Sequence, residues 1–142
     1  MRIAVLGNAE AIHTRRWAGI LRARGHDVRV FSLERPPVDD AAVQRGHVAF
    51  LAAGCPKCHG PEGHGNGPRA GDLLDYRANP VRPTDYRSPA LFVGGSGPVD
   101  IYRTMMTGIS GTPMPQAEDF FDPEQAWDVV AFIESVRKRP AE

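Results

Sequence analysis

Residues 52–68, AAGCPKCHGPEGHGNGP, hold both cysteines of the chain, with two residues between them and His59 directly after the second. What flanks this stretch decides how it is read. Before it, residues 40–53 have helical texture: Asp39 or Asp40 can cap the N-terminus, Val43, His47, Phe50 and Leu51 share one side, and Gly54 is a stop. After it, residues 60–97 are so rich in glycine and proline that they read as loop, wrapped around something rather than layered on themselves. A second helix follows at 98–107, PVDIYRTMMT, with Pro98 at its first position and Gly108 as its stop. The last begins at Asp122-Pro123-Glu124-Gln125, where the Asp caps and the Gln returns as its capping-box partner. Its face of Ala126, Trp127, Val129, Val130, Phe132, Ile133 and Val136 is broadly apolar, and it ends at Pro140.

Three chemistries compete for Cys55-Pro56-Lys57-Cys58-His59. A thioredoxin-type pair needs a strand before it and a helix after it to lower the attacking thiol's pKa, whereas here a helix leads in and a glycine-rich loop leads out. Zinc needs four ligands; His59 and His64 are available, but adjacent Cys58 and His59 fit poorly on one tetrahedron. The third reading uses all three residues. In C-x-x-C-H both sulfurs bond covalently to a haem and the following imidazole, His59, becomes the proximal iron ligand. A second ligand is then expected. GISGTPMP at 108–115 places Met114 between two prolines, in a stiff loop fifty-five residues beyond His59. Its soft thioether suits iron, while Met105 and Met106 fall inside a helix and suit a core.

With those residues in hand, residues 38–139 resemble a class I cytochrome c, through Gly46 and Phe50 on the first helix, CPKCH, the glycine-rich loop ending in Gly67-Pro68, GTPMP, and WDVVAFIESV. The resemblance implies a mainly α cytochrome c fold, three or more helices around one covalent haem c. It implies a close crossing of the first and last helices, Gly46 and Phe50 against Phe132. It also implies that the Pro68 carbonyl accepts the N–H of the His59 ring. Arg69, Arg82, Tyr86 and Trp127 are candidates to meet the haem propionates. The expected cofactor-binding set is Cys55, Cys58, His59, Pro68 and Met114, with His59 and Met114 on the metal.

Residues 1–37 read differently. RIAVLG at 2–7 is a short apolar run, helical spacing of Ile12, Trp17, Ile20 and Leu21 follows over 9–24 up to Gly25, and VRVFSL at 28–33 is strand-like until Pro36-Pro37. The result is one βαβ unit, with His13, Arg15 and Arg16 on a solvated helix face. It resembles the opening of the N-terminal domain of GT-B type glycosyltransferases. No catalytic residue carries over, a unit this small is non-functional alone, and a single Gly7 is no dinucleotide fingerprint.

The formal net charge of zero conceals an asymmetry: residues 1–37 carry seven Arg against three acids, and the rest ten Lys+Arg against fourteen acids. That distribution offers no basic face for nucleic acid, and no apolar run reaches membrane-spanning length. The function expected is one-electron transfer without catalysis, to redox partners docking transiently at the haem edge. If Met114 failed to bind, a five-coordinate haem sensor or weak peroxidase would result; a glycosyltransferase-related fragment is the remote alternative. Haem attachment of this type implies the periplasm, yet no signal peptide is visible. A genuine fusion, a wrongly joined gene model and an unrecognised export route are the three explanations considered.

Overall fold

The computed structural model describes residues 1–7, 12–31, 35–88 and 92–138. The chain divides into two compact units, Met1–Pro36 and Pro37–Glu142.

In the first unit, strands β1 (Arg2–Leu6) and β2 (Asp27–Phe31) pair in parallel, with Ile3 opposite Val28 and Val5 opposite Val30. Helix α1 (Ile12–Ala23) makes the crossover that parallel pairing requires. Ala18, Val28 and Phe31 are buried, and Arg22 Nη2 donates to the Val28 carbonyl at 2.9 Å. The apolar face expected of this helix is not the buried one: Ile12, Trp17 and Ile20 are 74%, 62% and 37% exposed. A two-stranded sheet is too narrow to cover the whole apolar side of a helix. The expected boundaries at Ala9, Leu33 and Pro140 lie outside the described residues.

The second unit is built from α2 (Asp40–Ala52), the single turn α3 (Pro56–His59), α4 (Pro98–Thr107) and α5 (Pro123–Lys138). Their ends follow local chemistry. Asp39 accepts from the Ala42 N–H at 2.7 Å at the start of α2. Asp122 and Gln125 exchange hydrogen bonds of 2.8 and 3.2 Å at the start of α5, the reciprocal capping box. The turn α3 is an addition to the expected pattern, because Pro56 sits at its first position and presets the helical φ. Between α3 and α4 the described residues contain no named element, only the isolated bridge Leu74–Pro80.

Helices α2 and α5 form the centre of this unit. Gly46 lies directly on the α5 backbone: a Cβ there would overlap the Asp128 carbonyl and press on the Val129 nitrogen. One turn on, Phe50 meets Phe132 with ring centroids 5.2 Å apart, and His47 stacks on Phe132 at 4.5 Å. Beside the contact Arg45 grips Asp128 with two hydrogen bonds of 2.8 and 2.9 Å, a bidentate pair. Leu51, expected on the inner side, is 43% exposed, and Ala42, Gly46 and Phe50 form the buried face. The α4 helix closes the other flank of α5 through Tyr102, which stacks on Trp127 at 4.4 Å. A Gly46→Val substitution should cost about 3 kcal/mol by overpacking, read as a lower urea midpoint at unchanged slope; a midpoint equal to the parent's would remove this contact from its central place.

Candidate functional site

One cavity of about 610 Å³ opens between the helices and loop residues within 69–86 and 92–95, within the range of roughly 300–1,000 Å³ for cofactor sites. Its floor comes from α2, α4 and α5, where Phe50, Ile101, Met105, Val129 and Ile133 are buried apolar side chains. Cys55, Cys58, His59 and Met114 all line it.

Helix α2 delivers the first three. It ends at Ala52, the chain turns at Gly54, and Cys55 becomes the N-cap of α3, which carries Cys58 and His59 around one turn. Both cysteines are free thiols. Burial pushes the Cys55 thiol up to about 11, with Cys58 adding in the same direction. That is the opposite of what a redox nucleophile needs. Nor do three His, Cys, Asp or Glu side chains gather into a metal site among the described residues, so His64 does not complete a zinc set.

Burial lowers the His59 pKa, and a backbone carbonyl partly offsets this. The imidazole is therefore held neutral, as a metal ligand must be. That carbonyl belongs to Thr84, 3.3 Å from Nδ1. The resemblance assigned this part to Pro68, but Pro68 is exposed and absent from the cavity wall. The reason is local: the 60–68 loop turns in hydrogen bonds of its own, Gly67 N–H to the Cys58 carbonyl at 3.0 Å and Arg69 N–H to the Lys57 carbonyl at 2.9 Å. Tyr86 stacks on the same imidazole at 5.1 Å and 23°. Sequence reading gave Tyr86 a different candidate role and missed Thr84 altogether. No local spacing signals a contact twenty-five residues away.

Met114 reaches the wall from a closed turn. The Ile109 N–H donates to the Met114 carbonyl at 3.2 Å, and the Thr112 hydroxyl donates to the Ile109 carbonyl at 2.8 Å while accepting from the Met114 N–H at 3.2 Å. Among the described residues the charged side chains on the wall are Lys57, Arg69 and Arg82, and none is a carboxylate. Trp127 is not on the wall; it packs on Tyr102. Two thiols, a neutral imidazole and a thioether on one mainly apolar wall, with cations to meet carboxylates, fit a haem.

Comparisons with known proteins agree with this chemistry. Residues 43–137 match the family Cytochrome c, and residues 2–56 match the family Glycosyl transferase 4-like. A comparison with curated protein sequences gives no match. Among solved structures, the chain is similar to one in the reducing HAO-like protein complex Kustc0457/Kustc0458 of Kuenenia stuttgartiensis, with 30% identity and a TM-score of 0.68. The similarity covers 72% of this chain and 47% of that one, so the shared part is about half of the neighbour.

The Thr112 hydroxyl braces the Met114 backbone. Replacing Thr112 with the isosteric Val should cost about 1 kcal/mol locally and speed hydrogen exchange of the Met114 amide about fivefold. Thr112→Ser should exchange like the parent, and an unchanged rate in the Val variant would show that the hydroxyl does not brace the loop.

Proposed function

The chain belongs to the cytochrome c family, and from that premise we propose that residues 37–142 form a one-electron carrier holding a single haem c. Cys55 and Cys58 are its covalent anchors, His59 the proximal ligand and Met114 the distal one. The observation that carries this reading is that these four side chains share one apolar cavity. When bound, the haem would supply an iron able to alternate between ferrous and ferric states, held by His59 and Met114.

The chain's own residues do the rest. His59 presents a neutral imidazole whose Nδ1–H is engaged by Thr84, leaving Nε2 for the metal. Thr112 fixes the turn that carries Met114. Phe50, Met105, Val129 and Ile133 exclude water, which lowers the local dielectric and favours the less charged oxidation state. Arg69 and Arg82 are placed on the wall to meet propionates.

The size of the cavity, about 610 Å³, supports a resident cofactor, since it falls within the roughly 300–1,000 Å³ of cofactor sites.

Val93 and Phe120 are exposed on the cavity wall, 66% and 56%, and suit transient docking of redox partners. The neighbour's place in a protein complex supports such a partnership. Among the described residues no helix is long and apolar enough to cross a membrane, and we place the carrier in the periplasm, where C-x-x-C-H haem attachment is completed.

Absorption of the reduced, denatured protein in pyridine should show one c-type haem per chain. The ferric native protein should show the far-red thioether–iron band, and Met114→Ala should abolish the band and lower the reduction potential. A band that survives in Met114→Ala would assign the distal position elsewhere, and a band missing from the parent would give the five-coordinate reading its place.

A further inference from the structure

The glycine-rich loop and the 83–86 segment are interlocked, and His59 is held where they meet. The Gly65 N–H donates to the His59 carbonyl at 2.8 Å, and the Tyr86 N–H donates to the Gly63 carbonyl at 2.8 Å. Gly63 has φ +74°, and a Cβ there would drive into the Tyr86 ring. The ring itself is fixed on three sides: His59 at 5.1 Å, the edge of Phe50 at 6.2 Å and Phe92 at 5.9 Å. Phe92 is in turn covered by the Arg137 guanidinium, 4.6 Å from its centroid. Tyr86 is 7% exposed, so it is a packed wall beside the imidazole rather than a surface group.

We propose that the 84–86 segment is the device that positions the proximal ligand: the Thr84 carbonyl takes the His59 Nδ1–H and the Tyr86 ring fixes the plane of the imidazole. This rests on His59 being the iron ligand. The segment replaces the post-motif proline carbonyl in that part, and the glycines after His59 serve to let it approach. Tyr86 and Thr84 are positioning residues. They act through His59, because a hydrogen bond at Nδ1 increases the donor strength of Nε2 and so favours the ferric state.

The test uses the full-length holoprotein. In the reduced, diamagnetic state, nuclear Overhauser contacts of the His59 Nδ1–H should run to the Asp85 amide and the Tyr86 ring; contacts to residues 67–69 instead would overturn the proposal. In Tyr86→Leu the Nδ1–H should exchange with deuterium at least tenfold faster and the reduction potential should rise. Tyr86→Phe keeps the ring and should match the parent in both. Equal behaviour of the Leu and Phe variants would show that the stacked ring does not position the ligand. Should Tyr86→Leu fail to fold, the parent's contact pattern and the Phe variant decide the matter. A parent lacking low-spin six-coordinate spectra would defeat the ligand assignment itself, an outcome separate from misplaced contacts in a protein with normal spectra.

Discussion

The contact of Gly46 with the Asp128 backbone governs the geometry of the haem-binding unit. Two helices can approach this closely only where one lacks a Cβ, and the approach aligns Phe50 with Phe132 and turns Val129 and Ile133 toward the cavity. Because α2 runs directly into Gly54 and Cys55, its crossing also sets where the cysteines begin. Arg45 and Asp128 lock the same level. A partly buried pair of this kind contributes little net stability, since desolvation offsets attraction, but its bidentate geometry opposes a slip of one helix along the other.

The helices supply only part of the cavity. The remainder is backbone without repeating structure, and its polar groups must find partners. They do so reciprocally: Tyr86 to Gly63, Gly65 to His59, Val81 to Leu73, Tyr76 to Gly111. The last of these ties the middle loop to the turn bearing Met114. Arg137, at the end of α5, donates to the Ser96 carbonyl at 2.8 Å while covering Phe92. The loops are thus pinned to the helical frame at a few points and to each other in between.

This division explains what the sequence made legible. Helix ends rest on chemistry within four residues, so Pro98, Gly108 and the Asp122–Gln125 box could be read directly. Gly46 and Phe50 were legible through family resemblance, as was the C-x-x-C-H motif through its fixed spacing. Periodicity misled where the partner was missing: Trp17 and Ile20 have helical spacing, but a two-stranded sheet gives them nothing to pack on. The acceptor of the His59 ring was illegible for another reason. Thr84 acts through its carbonyl, which every residue possesses, so only the path of the loop distinguishes it from Pro68.

That carbonyl enters an electrostatic balance around the proposed iron. Residues 37–142 carry four more acids than basic residues, yet among the described residues the cavity wall holds Lys57, Arg69 and Arg82 and no carboxylate. All three are exposed, so solvent screens them, yet charges on the wall are screened less than charges beyond a Debye length. With a haem bound there they would oppose the additional positive charge of the ferric state. The Thr84 carbonyl works in the other direction, strengthening the imidazole as a donor. With haem held as proposed, the cations at the rim and the carbonyl behind His59 would act on its potential separately. Propionates meeting Arg69 and Arg82 would weaken the first without touching the second, so a partner that disturbed the rim on docking would shift the potential through the cations and leave the His59 contact as it is.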